Sequence, residues 1–323
     1  MSENRPLVSF IVTCYNLPVP MLCECIDSIL ALTLLPSERE LIIVDDGSDT
    51  SPMNGLMHYG DDIVYVRQKH GGVSEARNAG LHVARGTFVQ FVDGDDRLLA
   101  DGYGHCIEVI RQHADAEVVM FDFTRGEPRR APAVPVPAVS GSELMRQQNI
   151  RGAVWCCLFR QSVRGTLLFT PGIAYAEDEE FMAQLLLRAE VVYVLTAEAY
   201  YYRQHSASAV SRRDEAAVCR RLDDTHTVIM RLHRLEDRLP RPERIALQRR
   251  VAQLTMDYLY NTIMLTRSAA AVDSRINELH GAGLFPLPAR PYSAKYTWFR
   301  RLIGSAIGRR LLLHTLPYMK RER

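Results

Sequence analysis

With 47% hydrophobic and 24% charged residues, this chain of 323 residues has an ordinary globular composition, which excludes intrinsically disordered and collagen-like classes. Its formal net charge of +1 gives no overall field for nucleic acid, so no nucleic-acid partner is expected. The 7 cysteines show no paired CxxC spacing, which argues against a disulfide framework or a zinc site and favours a reducing cytoplasm.

Short β-rich runs alternate with helical stretches in the first 123 residues. The first run begins at Leu7 and is cut short by Asn16 and Pro18, so neither a membrane span nor a secretory signal is expected. The alternation is typical of βαβ units and predicts an α/β fold whose mainly parallel mixed sheet is flanked by helices. Strands are predicted at 8–13, 41–44, 63–66, 88–92 and 118–123, and helices at 21–32 and 73–84.

The second half of the chain is increasingly helical. Residues 124–140 are rich in proline and arginine and predict a surface loop or linker. A helix at 142–148, an apolar segment at 153–159, a helix from about Glu177 and a strand at 191–195 follow, and beyond Arg212 the pattern is helical. The last part mixes arginines with aromatic and leucine residues. It suits either peripheral contact with an anionic membrane or packing on the main domain with solvated arginines.

Two strands end in carboxylates. The strand at 88–92 runs into Asp93-Gly94-Asp95-Asp96, where charges this close need a cation or hydrogen-bond donors to compensate them. Hard divalent cations, Mn²⁺ or Mg²⁺, fit that need. The strand at 41–44 runs into Asp45-Asp46-Gly47, where Asp46 could accept hydrogen bonds from a base or ribose. For both motifs the alternative is an acidic turn that caps a helix.

Residues 70–80 form a glycine loop that leads into a helix, whose amides could face an anion. Neither the GxGxxG fingerprint nor a P-loop occurs, which argues against Rossmann dehydrogenases and common NTPases. Arg77 and Asn78 on this helix either line a ligand pocket or brace the sheet edge.

These blocks, together with 8–16 and 85–88, resemble the inverting glycosyltransferase family 2 in their order and spacing over about the first two-thirds of the chain. The resemblance implies a GT-A fold: a domain at 1–212, with a nucleotide-binding part at about 1–123 and an acceptor-binding part at about 140–212, and a helical C-terminal region at 213–323. Cys14 and Gly94 depart from the family's usual pattern, so donor preference is not inherited from it.

Carried over by position, the resemblance assigns roles to individual residues. It implies that Thr13, Tyr15 and Asp46 contact the nucleotide, that Asp93 contacts the ribose, and that Asp95 binds the metal on the diphosphate. Arg77 is a further candidate for donor binding. In the late part of the chain, the matching residues are Asp178 as catalytic base, Arg203 as phosphate contact and His205 as metal ligand.

Without the family, the late motifs have ordinary interpretations. Residues 177–180 suit the acidic N-terminus of a helix, and His205 suits an ordinary loop position. Trp155 is interpreted either as a platform for an acceptor sugar or as a core residue.

The expected function is inverting transfer of a hexose or N-acetylhexosamine from a nucleotide sugar, UDP-linked by family habit, to a saccharide or lipid-linked saccharide in surface polysaccharide synthesis. The expected place is the cytoplasm or the inner face of the membrane, and homo-oligomerisation stays open. One alternative is a sugar nucleotidyltransferase, although residues 11–17 lack its glycine-rich loop. Another is a catalytically silent saccharide-binding scaffold, which the presence of Asp95 and Asp178 does not favour.

Overall fold

The computed structural model describes residues 5–128, 137–204, 214–290 and 292–319. The chain divides into two compact units, Met1–Gly141 with Gly152–Ser206, and Ser142–Arg151 with Ala207–Arg323. The strands are β1 Val8–Cys14, β2 Arg39–Asp45, β3 Val64–Arg67, β4 Phe88–Asp93, β5 Arg97–Leu98, β6 Val118–Thr124, β7 Cys157–Arg160 and β8 Val192–Tyr201. The helices are α1 Val19–Leu30, α2 Met53–Leu56, α3 Val73–Val83, α4 Ala100–Gln112, α5 Gly141–Gln147, α6 Gln161–Arg164, α7 Glu177–Leu186, α8 Glu215–Leu235, α9 Arg241–Thr266, α10 Ala269–Gly281, α11 Ala294–Ile303 and α12 Ala306–Met319.

The first unit is built on one mixed sheet with the strand order β3-β2-β1-β4-β7-β6-β8-β5. Strands β3, β2, β1 and β4 are parallel, whereas β7 runs antiparallel to both β4 and β6. The central strands β1 and β4 are mostly apolar and buried, as expected for parallel strands in a sheet that helices cover on both faces. β1 shows this directly, since Val8 to Val12 are completely buried.

The core beneath the sheet is formed by α1 and α4. α1 buries Leu22, Cys25, Ile26 and Ile29, which recur at helical spacing along one side. α4 buries Tyr103, whose ring meets Phe10 of β1 and Phe121 of β6 at centroid distances of 5.8 Å each. Helices α1 and α4 therefore stabilise the sheet from this side. The loops that follow the strands lie at the carboxyl-terminal edge of the sheet.

The second unit is helical. Its long helix α9 buries residues on all sides, including Arg249 and Arg250. Arg249 donates hydrogen bonds to the carbonyl oxygens of Met145 (3.3 Å) and Gln148 (2.8 Å), and Arg250 donates to that of Ile150 (2.6 Å). These buried guanidinium groups satisfy the carbonyls at the end of α5, where no further helical turn can do so.

The structure also describes the cysteines and the hydropathy of the helices. The described cysteines are all free thiols, with no disulfide among them. Across the described ranges, no helix combines the length and the apolar character needed to cross a bilayer. The functional division of the chain at residue 212 stays a prediction.

Candidate functional site

The carboxyl ends of β1, β2 and β4 meet at one edge of the sheet. In the strand register, Thr13 of β1 lies between Val44 of β2 and Asp93 of β4. The backbone continues this pairing beyond the strands, since Gly94 N donates to Thr13 O at 3.0 Å and Asp46 N donates to Cys14 O at 2.9 Å. The two acidic motifs predicted from the sequence therefore lie at the same edge of the sheet, one on each side of β1.

Asp45 is a structural carboxylate. It is fully buried and accepts hydrogen bonds from Ser48 N at 2.9 Å and from the Tyr65 hydroxyl at 2.7 Å. Burial alone would raise its pKa, but the hydrogen bonds from Ser48 and Tyr65 and the nearby Arg67 outweigh burial and lower the pKa. Asp45 thus fixes the turn after β2 and the start of the segment that contains Asp46.

Asp46 holds the glycine loop. Its carboxylate accepts hydrogen bonds from Gly71 N (2.9 Å), Gly72 N (2.8 Å) and the Gln68 side chain (2.7 Å), and His70 Nδ1 lies 2.8 Å from it. The loop approaches so closely that a Cβ at Gly47, where φ is +77°, would lie 2.5 Å from His70 N. The structure shows Asp46 bonded to the loop, and its predicted nucleotide contact stays a prediction.

Tyr15 presents an aromatic ring at this edge. The ring is 43% exposed and stacks on His70, with centroids 4.0 Å apart and planes inclined by 18°. Asn16 has a left-handed φ of +50° and is tied to the turn after β2, because Asn16 N donates to Ser48 Oγ at 2.8 Å. An exposed ring held on a fixed turn is suited to stacking with a planar base.

The loop Asp93 to Asp96 is held by hydrogen bonds from the end of β8. Asp96, with 1% of its surface exposed, accepts from the Tyr200 hydroxyl at 2.8 Å and from Arg203 N at 2.7 Å. The same hydroxyl accepts from Asp93 N at 3.1 Å. Burial, and then the charges of Asp93 and Asp95, raise the pKa of Asp96 to about 8.

Arg203, the predicted phosphate contact, lies against the acidic loop. Arg203 Nε donates to Asp95 O at 2.8 Å, and Nη2 pairs with Glu24 of α1. His205, the predicted metal ligand, lies outside the described residues. The structure therefore brings Arg203 to the loop and gives no position for His205.

Arg77 links this edge of the sheet to the acidic start of α7. Its guanidinium is buried, with Nη2 3.1 Å from Asp93 Oδ1 and Nη1 2.8 Å from Glu177 Oε1, and it lies over the Phe169 ring at 5.4 Å. Burial alone would lower the pKa of Arg77, but Asp93 and Glu177 outweigh burial and raise it. Burial and the Asp95 charge raise the pKa of Asp93, although Arg77 opposes them.

The neighbours of Arg77 on α3 hold the segment that precedes α7. Ser74 Oγ donates to Ile173 O at 2.8 Å. Asn78 donates to Phe169 O and accepts from Phe169 N, both at 2.9 Å. Of the two roles open for Asn78, its contacts are those of a brace. One side of α3 thus positions residues 169–177.

The acidic run begins α7 in a constrained backbone. Ala176, just before the helix, has a left-handed φ of +64°, which is uncommon for a residue with a Cβ. Glu177 is buried, and burial followed by the Asp178 charge raises its pKa to about 7, although Arg77 opposes them. Asp178 is only partly buried, and its Oδ1 accepts from Glu179 N at 2.8 Å. Asp178 is therefore the more accessible of the two.

An aromatic stack stands beside the acidic loop. Trp155 stacks with Tyr200 at 4.5 Å and with Tyr202 at 5.4 Å between ring centroids. Phe123 meets Trp155 edge-on at 5.1 Å, and the Arg125 guanidinium lies 5.3 Å from the Tyr202 ring centroid. Trp155 is half-buried, so both interpretations of it keep support: it packs on the core, and part of it is open to a ligand.

The residues of the acidic loop fit a divalent cation that is shared with a diphosphate. Asp93 is paired with Arg77, and Asp96 is bonded to Tyr200 and Arg203, while Asp95 is the carboxylate to which the family resemblance assigns the ion. Within the described ranges, no cluster of three or more His, Cys, Asp or Glu side chains forms a metal site. Mg²⁺ is commonly held by one or two carboxylates and completed by phosphates and water, so a closed protein site is not required.

Three residues that contact the predicted site residues were not given a role from the sequence: Glu177, Tyr200 and His70. Glu177 stood in the acidic run but next to the carboxylate assigned as base, and nothing local indicated its partner 100 residues away. Tyr200 stood in a run of three tyrosines, and the two-residue period of a strand could have indicated that it faces away from Tyr201.

Residues 9–163 match the profile of the family described as Glycosyl transferase family 2. An uncharacterized glycosyltransferase of Bacillus subtilis, EpsJ, is 33% identical over 220 residues, which cover 63% of this chain and 62% of that protein. The poly(ribitol-phosphate) beta-glucosyltransferase of Bacillus spizizenii is 25% identical over 208 residues, covering 60% of this chain and 32% of that protein. The chain thus spans less than two thirds of the length of these relatives.

Solved structures show the fold. The S. aureus TarS fragment 1–349 in complex with UDP-GlcNAc has a TM-score of 0.58 and 20% identity, covering 92% of this chain and 90% of that one. The Pyrobaculum calidifontis mannosyltransferase PcManGT in complex with GDP-Man and Mn²⁺ has a TM-score of 0.57 and 14% identity, covering 98% and 88%. These likenesses confirm the predicted GT-A fold, with its mixed sheet flanked by helices and its C-terminal helices.

Proposed function

Because this chain belongs to glycosyltransferase family 2, we propose that it is an inverting glycosyltransferase that moves a hexose or N-acetylhexosamine from a UDP-sugar to a saccharide or lipid-linked saccharide during surface polysaccharide synthesis. The observation that carries the proposal is the bridge from Asp93 through Arg77 to Glu177, which brings the acidic loop and the start of α7 together. Sugar transfer requires the donor, expected at the acidic loop, and the base, expected at the start of α7, to lie close together.

The donor would bind along the sheet edge. Tyr15 offers a ring for the base, Thr13 and Asp46 lie at the ends of β1 and β2, and Asp93 lies where a ribose would follow. Arg203, fixed beside the acidic loop, would contact the diphosphate through the guanidinium atoms that its bonds to Asp95 O and Glu24 leave available. A divalent cation bound at Asp95 would neutralise charge on the departing nucleoside diphosphate.

Asp178 would act as the base. In the inverting reaction, the acceptor oxygen forms a bond to the anomeric carbon while the bond from that carbon to the diphosphate oxygen breaks, and a carboxylate oxygen of Asp178 takes the hydroxyl proton. Asp178 is suited to this role because it is partly open, whereas Glu177 is buried against Arg77. The half-buried Trp155 beside the acidic loop would contact the acceptor ring.

The donor and acceptor classes are supported by relatives. TarS crystallised with UDP-GlcNAc and PcManGT with GDP-Man and Mn²⁺, so UDP-sugars with Mn²⁺ or Mg²⁺ are the first donors to test. Among the relatives is a glucosyltransferase named for poly(ribitol-phosphate), which supports a surface polymer as acceptor. Cytoplasmic placement beside a lipid-linked acceptor follows from a nucleotide-sugar donor and is part of the proposal.

The test is transfer and hydrolysis across a panel of UDP-, GDP- and dTDP-sugars, with Mn²⁺, with Mg²⁺ and with chelator. The variant Asp178→Asn should lower turnover by about 10²-fold or more while donor affinity, measured calorimetrically, is kept. Asp101→Asn, an exposed carboxylate at the start of α4, is the matched control and should behave like the parent.

Two results would overturn the proposal. Donor binding without any turnover across the panel would point to a saccharide-binding scaffold. Release of pyrophosphate from a nucleoside triphosphate and a sugar phosphate would point to a nucleotidyltransferase instead.

A further inference from the structure

The two last helices of the second unit each bury one side and present the other. α11 buries Phe299 and Ile303, and α12 buries Leu312 and Leu316. Both helices contact α9 and each other. Because residues four apart lie on the same side of a helix, the opposite side of each points away from this packing.

The outward sides carry apolar and basic residues together. On α11 they include Trp298, which is 45% exposed, and the exposed Arg301. On α12 they include Ile307, which is 83% exposed, Leu311, which is 47% exposed, and the exposed Arg310 between them. The spacing of three and four residues places each set on one side of its helix. These five residues are named the α11–α12 face.

The charge of this segment is of one sign. Residues 294–319 contain five lysines and arginines and no aspartate or glutamate. Two of the cations have partners, since Arg309 pairs with Asp273 at 2.9 Å and Lys295 lies 5.0 Å from the centroid of the Tyr260 ring. Within the part of the chain that the structure describes, no carboxylate pairs with Arg301 or Arg310.

We propose that the α11–α12 face docks on an anionic lipid surface. A tryptophan and two aliphatic side chains can enter the boundary between headgroups and acyl chains, while the arginines beside them contact phosphate. A second copy of the same face is disfavoured, because a two-fold contact would bring together two segments that carry only positive charges. The docking does not depend on the proposed transfer reaction, so either can fail alone.

The test uses the full chain with sedimented vesicles of phosphatidylcholine, with and without phosphatidylglycerol. The parent should bind only the anionic vesicles and should be released by added salt, since screening weakens contacts with the surface. The double variant Arg301→Glu with Arg310→Glu should lower the bound fraction by about tenfold or more. The triple variant Trp298→Ser, Ile307→Ser and Leu311→Ser should lower it by a similar factor.

Matched controls separate the face from general stickiness. Met57→Ser removes a side chain that is 68% exposed in the first unit, and Arg241→Glu reverses an exposed charge at the start of α9. Both should bind vesicles like the parent. Thermal unfolding of every variant should match the parent, because the replaced side chains are exposed.

Several outcomes would overturn the inference. They are no binding to anionic vesicles, equal binding to phosphatidylcholine alone, or face variants that bind like the parent. A concentration-dependent dimer lost in the face variants would assign the surface to a second copy. Tighter binding to RNA than to vesicles would assign it to nucleic acid.

Discussion

Arg77 Nη1 lies 2.8 Å from Glu177 Oε1, a contact that joins two residues 100 positions apart in the sequence. The same guanidinium reaches Asp93 at 3.1 Å, so one buried cation holds two carboxylates from different sides of the proposed site. Neither carboxylate could be buried at this place as an anion without it. The position of α7, and therefore of Asp178, depends on this pair.

The first prediction concerns Arg77→Lys. A lysine ammonium cannot span both carboxylates as the planar guanidinium does, so one buried acid loses its partner. The free energy of unfolding should fall by about 3–5 kcal/mol, the usual cost of breaking a buried pair. Arg85, whose exposed side chain pairs with Glu40, provides the control, and Arg85→Lys should cost about 1 kcal/mol or less. Urea unfolding of the three proteins measures both changes, and equal losses would contradict the role given to Arg77.

The second prediction concerns pH. The pKa of Glu177 is raised from 4.5 to about 7, so the folded state binds more protons than the unfolded state between these values. By linkage, the stability of the parent should fall as pH rises through this window. Glu177→Gln removes this titrating carboxyl group. The free energy of unfolding of the variant, relative to that of the parent, should therefore rise by about 1–3 kcal/mol from pH 5 to pH 8.

The measurement is urea unfolding of parent and variant at a series of pH values. Glu215→Gln makes the same change at an exposed position at the start of α8 and is the matched control. A Glu177→Gln difference that stays flat, or that shrinks as pH rises, would show that burial does not govern this carboxyl.

The strands and acidic motifs could be predicted because their signals are local. β1, β2, β3, β4 and β6 begin and end within two residues of the predicted runs, since apolar β-branched stretches between polar turns mark buried strands. β7 was missed because Cys157–Arg160 continues the apolar segment that begins at Ala153, and no polar turn separates the strand from the short helical turn Val154–Cys156 before it. The antiparallel pairing of β7 with its neighbours was missed for the same reason.

The partners within the site could not be predicted because they are not local. The sequence indicated Asp46 as a carboxylate at a sheet edge, but the loop amides that surround it depend on how residues 68–72 return to that edge. Likewise, Asp96 looked equivalent to Asp93 and Asp95 until Tyr200 and Arg203 N were placed against it. The roles carried over from the family for these side chains remain predictions.

A third prediction tests the support of the acidic loop. Tyr200→Phe keeps the ring that stacks on Trp155 but removes the hydroxyl that donates to Asp96 and accepts from Asp93 N. Buried groups left without a partner cost about 1–3 kcal/mol of stability. Tyr202→Phe removes a hydroxyl from the other tyrosine in the stack, at a half-buried position, and should change stability by about 0.5 kcal/mol or less.

The loop support also has a functional readout. If Tyr200 fixes the acidic loop, Tyr200→Phe should weaken donor affinity at limiting metal, whereas Tyr202→Phe should leave that affinity near the parental value. Equal behaviour of the two variants in both stability and donor binding would remove the role assigned to the Tyr200 hydroxyl.

The last prediction concerns the glycine loop. Gly47 has a φ of +77°, and a Cβ there would lie 2.5 Å from the backbone nitrogen of His70. The neighbour is backbone and cannot rotate away, so Gly47→Ala should displace the loop that Asp46 holds and cost about 1–3 kcal/mol. Gly104 lies within α4, and a Cβ there meets nothing within 4 Å. Gly104→Ala should therefore stabilise the protein by about 0.5–1 kcal/mol, because alanine favours a helix. The two variants should shift the midpoint of thermal unfolding in opposite directions. Donor affinity should fall only in Gly47→Ala, since Tyr15 stacks on His70 of the displaced loop.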